Sequence, residues 1–260
     1  MGKIMKWPTE LILIRHDTSA FNLLKEQKSK HPLYLEFLAA YKASPDCEKT
    51  RQLAKRVYEI FALKTGDCRT PLADPKGEQG RLTGEHLRKE LKLPDVIFFS
   101  PYKRTQLTLQ ALEAGWPELR NVKKYEEERI REQEHGLSGM YCDWRVFFAL
   151  YPEQRIFNEQ EGSYWYRFPQ GENRSDVRER NRSWIATIVR EFKHKRVWAI
   201  THHLNILATR ANFERFGEHE FQRLDREEKP INCGVTLYRG NPNLGQKGRL
   251  ELIYYNKKFY

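Results

Sequence analysis

The chain has 260 residues, with 46 Lys and Arg against 35 Asp and Glu, a formal charge of +11 and a pI near 9.4. That length suits one α/β domain with a sizeable core, and the charge suits anionic partners without choosing among phosphorylated small molecules, nucleic acid and acidic surfaces. Four scattered cysteines (Cys47, Cys68, Cys142, Cys233) argue against a zinc module or a disulfide framework, and no stretch approaches the ~20 apolar residues of a membrane span.

Leu11-Ile12-Leu13-Ile14 is a continuous apolar run, as in a strand buried on both faces. It leads into Arg15-His16-Asp17, at the end where open parallel sheets place their ligands. Ser19 and Asn22 follow in a turn entering a helix, whose free N–H groups favour phosphate. On its own, Arg15-His16 reads first as a salt-bridged strand end.

Over 23–76 the chain is polar and helical. Tyr34, Phe37, Leu38 and Tyr41, then Leu53, Val57, Ile60 and Phe61, recur at helical spacing. Ser44-Pro45-Asp46 separates the two sets and Thr65-Gly66-Asp67 ends the second. This predicts a solvated helical hairpin, with a lid over the pocket as the sharper alternative. The turn-rich Pro71–Gly80 runs into a helix to about Leu91, and Asp95–Phe99 is a second buried strand. Pro101 is placed in the first turn of the next helix, which sets Arg104 near that strand's end. Val122–Tyr125 is a short third strand, followed by a charged loop carrying Glu132.

Residues 137–171 are aromatic and irregular, read as packing for a long excursion. Ser175–Phe192 is a periodic helix whose Arg178, Arg180, Arg182 and Arg190 read first as a solvated face. Val197–Ile200 is a fourth buried strand ending in Thr201-His202-His203. Gly234–Tyr238 and Leu250–Tyr254 form a hairpin at the sheet edge. The strand ends thus offer two His, two Arg and one Glu. Neighbouring arginines disfavour a metal cation but suit phosphoryl transfer, in which a neutral imidazole is the nucleophile and arginines hold the equatorial oxygens.

Read together, these segments resemble the histidine phosphatase (phosphoglycerate mutase-like) superfamily. Arg15-His16-Asp17-Thr18-Ser19-Ala20-Phe21-Asn22 is similar to its Arg-His-Gly-x-Ser-x-x-Asn signature. Pro71-Leu72…Gly77-Glu78-Gln79, Ser100-Pro101…Arg104…Thr108, Ile130-Arg131-Glu132…Gly136, Gly171-Glu172-Asn173 and Thr201-His202-His203 match further pieces, in the family's order over about residues 10–210. The resemblance implies a three-layer α/β/α sandwich with a mostly parallel central sheet and an antiparallel edge. It implies one domain over 1–260 with a helical insertion at 23–76 and the irregular aromatic insertion at 137–171.

The implied activity is phosphomonoester hydrolysis without metal or organic cofactor. His16 is the nucleophile, Arg15, Arg104 and His202 hold the phosphoryl group, and Glu132 is general acid and base. Ser19 and Asn22 match phosphate-binding positions of the mutase branch. His203, Arg167 and Trp165 are candidate substrate contacts. Asp17 and His203 stand where the family has Gly; Asp tolerates a left-handed turn at the first. The alternatives are phosphoglycerate mutase-type transfer and, in another class, a catalytically silent basic binding protein for nucleic acid or a phosphorylated ligand. The expected partner is a phosphorylated small molecule; no nucleic acid or membrane partner is expected. With no apolar signal segment in Met1–Glu10, a cytoplasmic location is expected.

Overall fold

The apolar runs become strands because each has both faces covered. In a computed structural model describing residues 5–260, Leu11, Ile12, Leu13 and Ile14 are wholly buried within β1 (Glu10–Arg15). Strands β2 (Val96–Phe99), β3 (Lys123–Glu126), β4 (Arg196–Thr201), β5 (Val235–Asn241) and β6 (Arg249–Lys257) complete a six-stranded sheet in the order β3-β2-β4-β1-β5-β6. Strands β1 to β4 are mutually parallel, and β5 and β6 are antiparallel.

Alternation along β1 then assigns the layers. Ile12 and Ile14 pack with Leu87 of α4 (Glu78–Glu90) and with Leu109 and Leu112 of α5 (Lys103–Gly115). Leu11 and Leu13 pack with Trp184, Ile185 and Ile188 of α9 (Arg174–Glu191) and with Ile206 of α10 (His203–Glu214). The result is the expected three-layer sandwich. No described helix is long and apolar enough to cross a membrane.

The 23–76 stretch holds more helix than its periodicity marks. Helix α1 (Ala20–Lys30) precedes α2 (Pro32–Ala43) and α3 (Glu48–Phe61). Few apolar residues mark α1; its start is set by a capping box, in which Ser19 accepts from the Asn22 amide and Asn22 reaches back. The 137–171 stretch is not irregular, a correction to the sequence reading. It holds three short helices, α6 (Gly136–Met140), α7 (Trp144–Leu150) and α8 (Pro152–Glu161). Helices this short bury no continuous stripe of their own, so periodicity does not reveal them. Instead Val146 and Ala149 of α7 join Phe37, Leu53 and Val57 of α2 and α3 in a separate core, and buried Lys28 pairs with Asp143 at 2.9 Å. Several of the aromatics are packing, with Phe147, Phe148 and Tyr166 clustered together, while Trp144, Tyr151 and Trp165 are exposed.

Two local readings also change. Pro101 lies outside α5, whose N-cap is Tyr102. A further amphipathic helix, α11 (Glu218–Glu227), follows α10 and buries Phe221 and Leu224. Two of the α9 arginines are engaged within the fold, Arg178 with Asn212 and Arg180 with Glu172, while Arg182 and Arg190 lie on the expected solvated face beside Glu179 and Glu191 of the same helix.

Candidate active site

Parallel pairing puts the ends of β1, β2 and β4 on one edge of the sheet. Arg15 is in register with Thr201, and Phe99 with Ile200. The next residues, His16, Ser100 and His202, are therefore neighbours. The His16 amide donates to the Thr201 carbonyl at 2.9 Å, and the Ser100 amide to the Ile200 carbonyl at 3.1 Å. The two imidazoles meet edge to face with ring centroids 5.2 Å apart. Both are buried.

His16 is held as one tautomer. Its Nδ1 lies 2.7 Å from the Asp17 carbonyl, which can only accept, so the proton sits on Nδ1. Nε2 then carries a lone pair and accepts from Arg104 Nε at 3.2 Å. Burial above all, then Arg104 and Arg15, hold the His16 pKa well below the usual histidine range. The same causes, burial first and then Arg104, lower that of His202, whose Nε2 lies 2.7 Å from Ser100 Oγ. A neutral imidazole between two guanidinium groups is the state a nucleophile needs.

The arginines arrive from different elements. Arg15, the last residue of β1, donates from Nη1 to the Pro230 carbonyl at 2.7 Å. Arg104, in the first turn of α5, is buried. Arg15 Nε and His202 Nδ1 are buried polar atoms without a partner among the described residues. Such atoms cost about 1–3 kcal/mol each, so the cluster is poised to gain from an oxygen-rich ligand.

Glu132 follows β3 on a loop fastened from three sides. Thr201 Oγ1 donates to the Ile130 carbonyl at 2.6 Å, and Arg180 to the Arg129 and Glu132 carbonyls at 2.8 and 2.9 Å. Glu172 accepts from Arg131 at 2.7 Å, Arg180 at 2.9 Å and the Glu134 amide at 3.0 Å. Burial opposes ionisation of Glu172, but Arg180 and its other donors outweigh it and lower its pKa. One oxygen of Glu132 is fixed by the amides of Gln133 (3.0 Å) and Leu204 (3.2 Å), the latter in the first turn of α10. The second oxygen has no partner among the described residues, as suits a group that gives and takes a proton.

The remaining candidates are placed differently. Ser19 and Asn22 form the α1 capping box, and Asn232 ties Asn22 (3.3 Å) to the His16 carbonyl (2.9 Å). Asp17 does not adopt a left-handed conformation, so glycine's freedom is not what its position needs. Its carboxylate instead accepts from the Gly80 amide at 3.0 Å, capping α4, whose own N-cap, Gly77, has no side chain. Burial raises the Asp17 pKa. His203 turns to Asp225, 2.9 Å away. Arg167 is not brought to the cluster: it is exposed and pairs with Asp176, in the capping box of α9, at 2.7 Å. Trp165 donates to Glu218 at 2.9 Å and lines a separate hollow with Arg178 and Arg182.

Sequence reasoning missed Asp67, on a 3₁₀ turn (Asp67–Arg69), which pairs with Arg104 at 2.9 Å. Its only sequence signal was a turn. Ser100 and Glu172 stood inside quoted motifs without a role assigned. Among the described residues no three His, Cys, Asp or Glu side chains converge as a metal set would.

A sequence model described as the histidine phosphatase superfamily (branch 1) matches residues 61–247. That match begins after α2 and most of α3, so it leaves out β1 and His16. A phosphoglycerate mutase-like protein of Arabidopsis thaliana is 30% identical over 194 residues, 71% of this chain and 54% of that protein. Phosphoserine phosphatase 1 of Hydrogenobacter thermophilus is 32% identical over 135 residues, 50% of this chain and 61% of that protein. The chain spans about half the length of the Arabidopsis relatives it matches. Among solved structures, mycobacterial glucosyl-3-phosphoglycerate phosphatase superposes with a TM-score of 0.60 at 17% identity, covering 95% of this chain and 99% of that one. A phosphoserine phosphatase from Entamoeba histolytica gives 0.61 at 15% identity, covering 95% and 96%. At those identities the likeness is one of fold.

Proposed function

We propose that this chain, which belongs to the histidine phosphatase superfamily, hydrolyses phosphomonoesters of small molecules through a phosphohistidine on His16. The observation that carries the reading is the state of His16: neutral, protonated on Nδ1 against a backbone carbonyl, with Nε2 turned to Arg104.

In the first step the Nε2 lone pair bonds to phosphorus and the P–O bond to the leaving group breaks. Glu132, entering as the carboxylic acid, gives that oxygen its proton. Arg15, Arg104 and His202 hold the three equatorial oxygens, where charge develops. In the second step a water attacks phosphorus and Glu132, now a carboxylate, takes its proton. The P–N bond breaks, its electron pair returns to Nε2, and inorganic phosphate leaves. Attachment of Glu132 by one oxygen leaves the other to do both transfers. The name of the Hydrogenobacter relative, a phosphoserine phosphatase, supports hydrolysis as the outcome.

The purified chain is expected to hydrolyse a generic aryl phosphate and to trap label from a radioactive phosphoryl donor as an acid-labile, base-stable adduct. His16→Ala should lose both; undiminished hydrolysis in that variant would refute the reading. A phosphoglycerate isomerisation assay primed with a bisphosphate separates hydrolysis from mutase chemistry.

A further inference from the structure

Arg104 is the most constrained cation of the site. A guanidinium carries five N–H bonds arranged as two usable forks. One, made by Nη1 and Nη2, points along the side chain. The other, made by Nε and the remaining Nη2 hydrogen, points sideways. Asp67 takes the end fork: Oδ1 lies 2.9 Å from Nη1 and Oδ2 3.1 Å from Nη2. The Asp67 carbonyl accepts from Nη1 as well, at 2.8 Å. The ring of Tyr102 covers a face of the guanidinium, 4.8 Å from its carbon. Only the side fork remains, and its Nε is the atom 3.2 Å from His16 Nε2.

This arrangement decides what the carboxylate is for. A carboxylate occupying the phosphoryl group's own place would take the side fork, nearest the nucleophile. Asp67 takes the opposite one. When a phosphoryl group approaches Nε2, the Nε–H must leave that lone pair and meet a phosphoryl oxygen. A guanidinium gripped end-on makes that change by a small shift. An ungripped one has to be ordered at the moment of reaction.

We propose, resting on the hydrolase reading above, that Asp67 is a positioning residue. It grips Arg104 end-on and presents the side fork to the phosphoryl oxygens beside His16. The segment between α3 and α4 thereby becomes part of the active site.

The test uses Asp67→Ala, Asp67→Asn and Asp67→Glu in the full chain, with aryl phosphate kinetics and with orthovanadate and inorganic phosphate binding measured by calorimetry. Misplacing a transition-state contact by about 1 Å costs on the order of a hundredfold. Asp67→Ala should therefore lower kcat by roughly ten- to a hundredfold, with KM changed far less. Orthovanadate, which mimics the five-coordinate phosphoryl group, should lose affinity by a similar factor, and phosphate by much less. Asp67→Glu should recover part of both losses. A fall in KM with kcat intact would make Asp67 a competitor for substrate and overturn the proposal, as would unchanged kcat and vanadate affinity. Should the alanine variant fail to fold, Asp67→Asn, which keeps the shape and loses the charge, gives the same reading. Vanadate binding needs no turnover. A wild type that binds vanadate but hydrolyses nothing therefore refutes the hydrolase reading alone, and the vanadate comparison still judges Asp67.

Discussion

Replacing Asp17 with Gly, the family's usual residue there, should destabilise the protein and spare the chemistry. The Asp17 carboxylate accepts from the Gly80 amide at 3.0 Å in a buried setting. Gly80 is the third residue of α4, and Gly77 ahead of it has no side chain to cap the helix. Without the carboxylate the Gly80 N–H is stranded, which costs about 1–2 kcal/mol. The added backbone freedom of glycine costs about 0.5–1 kcal/mol more, since Asp17 does not occupy a left-handed conformation. The total, about 1.5–3 kcal/mol, corresponds to a fall in Tm of roughly 3–12 °C for a chain of this size. His16 is oriented by the carbonyl of residue 17, not by its side chain, and glycine keeps that carbonyl. Calorimetric melting and aryl phosphate kinetics check both halves. A kcat/KM reduced more than tenfold with an unchanged Tm would show that the carboxylate acts on His16 and would refute its role as a helix cap. Asp17→Asn, which keeps an acceptor for Gly80, should lie close to wild type in both measurements.

Three further outcomes are expected. His16 and His202 are buried neutral, with pKa values below their unfolded value near 6.5. The unfolded chain therefore binds protons first, and stability falls as pH drops below about 6.5, by about 1.4 kcal/mol per histidine per pH unit until each folded pKa is reached; denaturant melts from pH 7.5 to 5 should show this slope, and a flat profile would contradict it. Glu172→Ala leaves Arg131 and Arg180 facing each other without their shared carboxylate; it should cost about 2–3 kcal/mol and lower kcat by loosening the Glu132 loop, as urea melts and kinetics would reveal. Arg167→Ala removes an exposed pair with Asp176, so KM should stay within twofold for any substrate; a large rise would return Arg167 to the substrate site.

Much of the site was legible because its residues stand at strand ends. An uninterrupted apolar run can be recognised without partners, and in a parallel sheet all such runs end on one edge. Arg15, His16, Arg104 and His202 each follow such a run, and Glu132 follows the short charged strand β3, so their number and order were visible in the chain. The sequence determined the strands, the periodic helices α3 and α9, the antiparallel edge and the group of residues at the sheet mouth. These depend on periodicity and on neighbours a few positions away.

What only the tertiary structure decided depends on residues far apart in the chain. The proton of His16 is placed by a backbone carbonyl, which has no sequence signature. Asp17 proved to be a helix cap for residue 80 rather than a turn former. Helix α7 is held because α2 and α3 offer it an apolar surface, and α6 and α8 pack beside α7. Arg167 and Trp165, chosen for their chemistry, found partners on α9 and α11. Asp67, read as the end of a turn, lies 37 positions before Arg104 and grips it. A carboxylate's role is set by the cation it meets, and a meeting across that distance is fixed by packing of the whole chain rather than by any local pattern.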